Sequence, residues 1–142
     1  MDKVLSFHQG RLPLLISMPH AGLGLTQAVR EGLVDQAQSL PDTDWHIPRL
    51  YAFARELGAS VVAAEYSRFV IDLNRPDDDK PLYAGATTGL YPATLFGGEP
   101  LFRDGLEPTG EERKHYLEQI WRPYHGTIRC ELDRLRQQFG YA

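Results

Sequence analysis

The sequence lacks several patterns that would point to particular protein classes. Its 142 residues include one cysteine, Cys130, so no disulfide can form within the chain and a reducing cytoplasm is expected. No apolar run approaches the roughly 20 residues that a membrane span requires, and the N-terminus lacks the layout of a signal peptide. The net charge of -4 argues against nucleic acid as the main partner, because phosphate binding needs clustered lysine and arginine.

Common catalytic signatures are also missing. The chain contains no His-Glu-x-x-His, no Cys-x-x-Cys and no Gly-x-Ser-x-Gly sequence. We expect Cys130 to be a buried or half-buried helix residue rather than a reactive one. Hydrophobic residues make up 42% of the chain and charged residues 24%. This composition and length predict one soluble globular domain over residues 1–142.

Strands and helices are predicted to alternate along the first half. Residues 12–18 and 59–66 are short apolar runs bounded by turn formers, as is typical of buried strands. Between them, Pro48 suits the first turn of a helix that starts near Ile47 and that Gly58 caps. The order strand, helix, strand predicts parallel pairing with a right-handed crossover. A second extended run is predicted directly afterwards, at 69–73.

The second half begins with a stretch rich in glycine and proline, residues 82–108, which predicts either a binding loop or a segment anchored by its aromatic side chains. Thr109 then opens a capping box. From there an apolar stripe between Leu117 and Phe139 predicts one long helix, with a kink at Pro123. The expected fold is therefore α/β, with a mostly parallel sheet, flanking helices and at least one missing neighbouring strand.

The first candidate for chemistry is His20. It follows the predicted strand 12–18 and lies between a proline and two small residues. Ligands and metals bind at the carboxyl ends of strands in open α/β sheets, and imidazole can ligate a metal or exchange protons near neutral pH. A loop histidine that is hydrogen-bonded to the backbone is the structural alternative.

Two further groups of polar residues are candidates. Asp42, Asp44 and His46 lie within five residues just before a helix. They offer the carboxylate and imidazole ligands that zinc uses, although Asp44 is also suited to cap the helix and Asp42 to close a turn. Arg68 and the pair Asn74-Arg75 flank the run 69–73. A guanidinium there is suited to a substrate carboxylate, or to a salt bridge with a nearby aspartate.

The chain resembles the N-formylglutamate amidohydrolase (N-formylglutamate deformylase) family. The resemblance lies in the segments Leu14–Gly22, Asp42–Tyr51 and Tyr66–Pro76, and in the later Thr88–Leu90 and Trp121–His125. It implies the fold of the zinc carboxypeptidases, also described as the phosphorylase/hydrolase-like fold, and the hydrolysis of N-formyl-L-glutamate to glutamate and formate in histidine degradation. It also implies a divalent metal, zinc in particular, that activates a water.

The resemblance also implies roles for individual residues. His20 matches the first metal-ligand position, Asp44 is the expected acidic ligand, and Asp42 and His46 are the alternatives. Asn74 and Arg75 resemble the pair that related peptidases use to bind a substrate carboxylate, with Arg68 assisting.

Family members are roughly twice as long as this chain. A further histidine ligand and the glutamate general base are expected in the part beyond Ala142, so the chain by itself is expected to have little or no activity.

Other functions share the same residues. The chain could instead be a non-catalytic binder of an acidic metabolite or a relic, or a deacylase for another N-acyl amino acid, since acyl preference depends on pocket shape. If a half is missing, the stripe between Leu117 and Phe139 and the last strands should leave an apolar patch, through which the chain could self-associate.

Overall fold

The computed structural model describes residues 3–80 and 88–142. Three strands form one sheet: β1 (Leu5–His8), β2 (Leu15–Met18) and β3 (Ser60–Ala64). The central strand β3 pairs antiparallel with β1 and parallel with β2. The α/β class is therefore confirmed, but the prediction of a mostly parallel sheet is wrong. No pattern had indicated β1, a four-residue strand with only partly buried side chains.

All five residues of β3 are buried, as expected for a central strand with elements on both faces. The parallel partner β2 is shorter than the predicted run 12–18, because the amides of Arg11 and Leu12 bond to the carbonyl of Gly58 rather than to the sheet. The strand pairing places Leu15 opposite Ser60 and Met18 opposite Ala63.

The run 69–73 is not a strand, which corrects the sequence-based prediction. The backbone turns at residues 68–70, where the amide of Val70 bonds to the carbonyl of Ser67. The apolar side chains of the run are nevertheless buried, at 1 to 3% exposure. The apolar pattern therefore predicted burial correctly, but a buried segment need not form hydrogen bonds with a neighbouring strand.

The helix predicted near Ile47 is confirmed, and a shorter helix precedes it. Helix α1 (Gln27–Gly32) begins after Thr26, whose side chain accepts a hydrogen bond from the amide of Val29. A short 3-10 helix follows at Asp35–Ala37. Helix α2 (Ile47–Leu57) ends at Gly58, which has φ of +98°, a left-handed conformation that favours glycine.

The long helix of the second half is divided in three. Helix α3 (Gly110–Tyr116) starts with the predicted capping box at Thr109, a π-helical turn spans Leu117–Trp121, and α4 (Arg122–Phe139) continues to Gly140. A wider turn lies just before Pro123, where a kink was expected. Proline cannot donate to the preceding turn and its ring crowds the carbonyl there, and widening relieves both problems.

The helices lie on opposite faces of the sheet. Ala54 of α2 packs with Met18, Val61 and Ala63, whereas Val62 and Ala64 belong to the larger core with Tyr124 of α4. Cys130 is exposed on α4, so the expectation that it is buried or half-buried is wrong; it lies on the solvent side of an amphipathic helix. Among the described residues no helix is long and apolar enough to cross a membrane.

The glycine- and proline-rich stretch is partly anchored to the body. Leu90, Leu95, Leu101 and Phe102 are buried, whereas Phe96 is exposed. The beginning of this stretch, residues 82–87, lies outside the described residues.

The exposed apolar surface differs in part from the sequence-based expectation. Ile120, Tyr124 and Leu135 of the predicted stripe are buried, because α4 packs against β2 and β3. Within residues 3–80 and 88–142, the large exposed apolar side chains on a helix are Leu50, Phe53 and Leu57, here called the α2 flank.

Candidate functional site

His20 lies just beyond the carboxyl end of β2, in the loop that crosses the end of β3. Gly22 makes this crossing possible: a Cβ atom there would lie 2.2 Å from the carbonyl oxygen of Tyr66. The amide of Gly24 then donates to the carbonyl of Glu65 at 2.8 Å. The loop is therefore held against the segment that leads from β3 toward residues 68–75.

The imidazole of His20 contacts a fully buried carboxylate. Nε2 of His20 lies 2.6 Å from Oδ1 of Asp72, which also accepts the amide of Asn74 at 2.9 Å. Oδ2 of Asp72 accepts from a guanidinium nitrogen of Arg68 at 2.9 Å. Burial opposes ionisation of Asp72, but the hydrogen bond from His20, together with the Asn74 amide and the Arg68 charge, holds its pKa below the ordinary value.

Asp72 is the main site residue that the sequence patterns did not single out, since they indicated only an unspecified aspartate as a salt-bridge partner for Arg68. A signal for it exists. It is a carboxylate inside an otherwise apolar run, Val70-Ile71-Asp72-Leu73, and its side chain is 0% exposed. A carboxylate that is buried must be paired or hydrogen-bonded, and Asp72 is both.

Arg68 contacts the ring nitrogen of His20 that does not face Asp72. Its Nη1 lies 3.4 Å from Nδ1 of His20, and a guanidinium can only donate. This contact favours Nδ1 as the acceptor, with the Nε2–H facing Asp72. Metal-binding histidines commonly donate their second ring N–H to a carboxylate in this way, so Nδ1 is the nitrogen of His20 suited to a metal.

The segment 42–46 is adjacent to His20. The amide of Asp44 donates to the carbonyl of His20 at 3.2 Å, and the side chains of Asp44 and His46 are exposed. Asp44 does not cap α2: the capping position is His46, without a side-chain hydrogen bond. Oδ2 of Asp42 accepts the amide of Phe96 at 3.1 Å, so Asp42 connects this segment to the loop around residue 96.

The described residues do not form a complete metal site. Among residues 3–80 and 88–142 there is no group of three histidine, cysteine, aspartate or glutamate side chains that could hold an ion. A catalytic zinc ion usually has three protein ligands. His20 and Asp44 have the right donor chemistry for two of them, while the Asp72 carboxylate is already taken up by His20 and Arg68.

The two arginines of the site are held by the protein itself. Arg68 is 7% exposed, and its guanidinium lies 4.4 Å from the centre of the Phe96 ring. Nε of Arg75 donates to the carbonyl of Thr88 at 2.8 Å and Nη1 donates to that of Asn74 at 2.9 Å. Asn74 has an exposed side chain. The structure thus brings His20, Arg68, Asn74 and Arg75 together around Asp72.

Helix α4 contacts the same region from behind. His125 donates from Nε2 to the carbonyl of Leu73 at 2.9 Å, and Trp121 donates from Nε1 to the carbonyl of Arg75 at 2.9 Å. The hydroxyl of Tyr124 lies 2.8 Å from that of Ser17 on β2. Burial lowers the pKa of His125, which therefore stays neutral beside the loop at neutral pH.

The order of these segments matches a known family. The sequence pattern of the N-formylglutamate amidohydrolases matches residues 12–142. The chain belongs to the N-formylglutamate amidohydrolase family. This family match covers the β2 loop, the segment 42–46, the Asp72 cluster and the contacts of α4, so the whole candidate site lies within it.

Two relatives of this amidohydrolase chain extend the match to its full length. It is 87% identical to the N-formylglutamate deformylase of Pseudomonas putida and 67% identical to that of Pseudomonas aeruginosa PAO1, in both cases over 142 residues. These cover 100% of the chain but 53% of each relative. The chain thus spans about half the length of these two curated relatives.

Solved structures agree on the fold. The N-formylglutamate amidohydrolase of Ralstonia eutropha JMP134 superposes with a TM-score of 0.74 at 22% identity, over 96% of the chain and 54% of that protein. A gene product of Agrobacterium tumefaciens gives 0.70 at 18% identity, over 99% and 53% respectively. At such identities the likeness speaks for the fold alone.

Proposed function

We propose that this chain contributes to an active site that hydrolyses N-formyl-L-glutamate to L-glutamate and formate, as the last step of a route of histidine degradation. The proposal rests on one observation above all. At the carboxyl end of β2, His20 is held through Nε2 by the buried Asp72, with Nδ1 facing Arg68, beside Asn74 and Arg75. The names of the two Pseudomonas relatives supply the substrate.

In this proposal the chain's residues bind and orient the substrate. The N–H groups of Arg75 and the amide of the exposed Asn74 are donors suited to a carboxylate of formylglutamate. Arg68 is positioned to keep Asp72 ionised and His20 in a single tautomer. Hydrolysis breaks the bond between the formyl carbon and nitrogen, the water oxygen joins that carbon, and the amine takes up a proton.

The proposed cofactor is a divalent metal ion, zinc in particular. His20 and Asp44 would be two of its ligands, with Asp42 and His46 as alternatives for the carboxylate. When bound, such an ion polarises the formyl carbonyl and lowers the pKa of a water. The remaining ligand and the general base are proposed to come from sequence corresponding to the part of the relatives that this chain does not match.

The test is a deformylase assay on the 142-residue chain, with and without added zinc. We expect little or no formate release from the chain alone, and turnover once the unmatched part of the Pseudomonas putida deformylase is supplied as a second polypeptide. Robust turnover by the chain alone would contradict the proposed division of the site. Failure of the combined halves, if each is folded, would contradict the proposed activity.

Two other functions are separated by binding measurements. Calorimetry with formylglutamate, with and without zinc, identifies a non-catalytic binder of acidic metabolites, which binds but never gives turnover when combined. A series of N-acyl amino acids identifies a deacylase of another specificity. The exposed Asn74 beside Arg75 favours a substrate with a carboxylate in every case.

Self-association is proposed to use the α2 flank. The apolar arc of α2 is wider than the face it buries: Ile47, Tyr51 and Ala54 pack toward the sheet, while Leu50, Phe53 and Leu57 remain exposed. Sedimentation of the wild type and Phe53→Glu tests this. We expect the variant to stay monomeric at concentrations where the wild type associates, and equal behaviour would contradict the proposal.

A further inference from the structure

The segment Trp121–His125 has no role in the chemistry described so far. Its side chains nevertheless converge on the backbone around Asn74. We infer that Trp121 and His125 are positioning residues, which hold the Asn74-Arg75 pair in the orientation that the site requires. The inference deepens the proposed function and rests on it, because it concerns the residues assigned above to the substrate carboxylate.

The hydrogen bonds enclose the pair from both sides. His125 binds the carbonyl of Leu73, whose peptide unit precedes Asn74, and Trp121 binds the carbonyl of Arg75, whose peptide unit follows the pair. Both bonds measure 2.9 Å. With the peptide planes on either side fixed, the backbone of the pair has little freedom to rotate.

The buried Asp72 holds the same pair from its other side. Its carboxylate accepts the amide of Asn74 at 2.9 Å, and its main-chain carbonyl accepts the amide of Arg75 at 3.2 Å. The two bonds to Asp72 therefore use the amides of the pair, whereas the bonds from His125 and Trp121 use the carbonyls of Leu73 and Arg75. The Asn74 side chain, which takes part in none of these bonds, is exposed.

The π-helical turn explains how both donors reach the loop. Trp121 is the last residue of this turn, and the amide of Arg122 bonds five residues back to Leu117. One extra residue in a turn changes the direction in which the following side chains project, and such turns are frequent at functional sites. Trp121 at the end of this turn and His125 in α4 lie four residues apart on one helix face, with ring centres 4.0 Å apart.

The alternative is that both residues merely contribute to core packing. Their burial alone would suit that role, since Trp121 packs against the main core. A buried N–H needs an acceptor in either case; what favours positioning is that both acceptors flank the same pair, Asn74-Arg75. The two explanations differ in what happens when the donors are removed and the rings are kept.

The experiment removes each donor and measures the loop directly. Trp121→Phe and His125→Phe keep an aromatic ring, and His125→Gln keeps a side-chain N–H. His115→Phe is the matched control, because His115 is exposed on α3. Hydrogen exchange of the Asn74 and Arg75 amides is followed by NMR, together with the melting temperature and the affinity for N-formyl-L-glutamate by calorimetry.

We expect exchange at these two amides to accelerate at least tenfold in both phenylalanine variants, while amides in β3 keep their protection. His125→Gln should recover most of the protection and His115→Phe should change nothing. Unchanged exchange at Asn74 and Arg75, or equal acceleration in β3, would overturn the inference, the second by showing a purely structural role. If Trp121→Phe does not fold, the comparison of His125→Phe with His125→Gln decides alone.

Binding separates this inference from the proposed function. Where the wild-type chain binds formylglutamate, the phenylalanine variants should bind at least tenfold more weakly at a similar melting temperature, and equal affinity would overturn the inference. A wild type that does not bind argues against the assigned role of Asn74 and Arg75 in this chain. The exchange rates then still decide whether Trp121 and His125 position the pair.

Discussion

The two ends of the sheet each contain a buried carboxylate paired with an arginine, and the pairs have different consequences. At the start of β3, the Glu131 carboxylate accepts from Ser60 and, through both oxygens, from Arg134. At the opposite end, beyond β2, Asp72 accepts from His20 and Arg68. The Glu131 pair joins α4 to the sheet, and the Asp72 pair organises a site.

The partners account for the difference. Arg134 also donates to the carbonyl of Gly10, whose amide donates to Ser60, so the Glu131 pair forms a closed network of structural groups. The Asp72 pair also contacts the imidazole of His20, whose second nitrogen does not bind the carboxylate, and lies beside an exposed asparagine. A buried carboxylate thus indicates a functional site only when one of its partners still has a polar atom that can bind a ligand.

The largest effect is expected from Asp72→Asn. Arg68 is 7% exposed and would keep a buried charge without a counter-ion. Removing one partner of a buried ion pair costs about 3–5 kcal/mol, so the variant should lose most of its stability in urea unfolding. The control is Asp77→Asn, whose side chain is 46% exposed. A loss below about 1 kcal/mol, as for an exposed ion pair, would contradict the special cost assigned to the buried Asp72 pair.

A smaller loss, about 2 kcal/mol, is expected for Glu131→Gln, the typical contribution of a hydrogen bond to a charged group. The Arg134 side chain is 30% exposed, so water can solvate it once the carboxylate is gone. Urea unfolding against the exposed Glu118→Gln measures the difference. A loss that exceeds that of Asp72→Asn would reverse the comparison.

The stability difference between the wild type and Glu131→Gln should change with pH in one direction. The hydrogen bond from Arg134 is the largest influence on Glu131 and, against the opposing effect of burial, keeps its pKa below the ordinary value. The stabilisation that the ionised Glu131 carboxylate contributes is therefore present at pH values above the ordinary carboxyl pKa. It is lost as the pH falls through the lower pKa of the folded state. The stability difference between wild type and Glu131→Gln should shrink as the pH is lowered from 7 toward 3, and a constant difference would contradict this.

Tyr124→Phe tests the part of α4 between the two ends. It removes the hydroxyl that donates to the carbonyl of Val62 and contacts Ser17, at a cost of about 1 kcal/mol. Burial raises the pKa of Tyr124 to about 12. The folded state therefore keeps a proton that the unfolded state releases near pH 10, and wild-type stability should fall between these values.

The control for this experiment is Tyr141→Phe, because Tyr141 is 67% exposed. In thermal unfolding from pH 9 to 12, the wild type and this control should lose stability more steeply than Tyr124→Phe. Parallel curves for all three proteins would mean that Tyr124 does not retain its proton.

Asn74→Ala should have the smallest effect on stability, within about 0.5 kcal/mol, since it changes an exposed side chain. If the Asp72 end is the functional one, this variant should still weaken formylglutamate binding in calorimetry. Gln137→Ala, an exposed amide on α4, is the control and should bind as the wild type does. Equal binding by both variants would remove the functional distinction between the two ends.

Much of the local structure was predictable, and the reasons are local. Thr26 and Thr109 cap their helices through side-chain oxygens, and Gly58 ends α2 with a positive φ, because these residue types satisfy helix ends wherever they stand. The run 69–73 misled because apolar side chains report burial and not backbone pairing. The strand β1 was missed because a short, half-buried strand has little pattern of its own.

For the candidate site, the sequence predicted which residues take part but not which of them contact one another. His20, Arg68, Asn74 and Arg75 stood out as residue types at the ends of apolar runs. Asp72 was undervalued, because the sequence does not show which buried carboxylate meets an imidazole 52 positions earlier. The contacts of Trp121 and His125 with the loop 73–75 join positions separated by 46 and 52 residues, and no local pattern specifies them.

The sequence by itself determined the family, the α/β class, the helix ends and the residue types of the site, since these depend on motifs and on interactions within a few positions. Tertiary structure alone decided the mixed sheet, the contacts of His20, the exposure of the α2 flank and the contrast between Asp72 and Glu131. Each of these depends on which distant groups come together in a dry interior. There an unpaired charge is costly and every buried donor needs an acceptor.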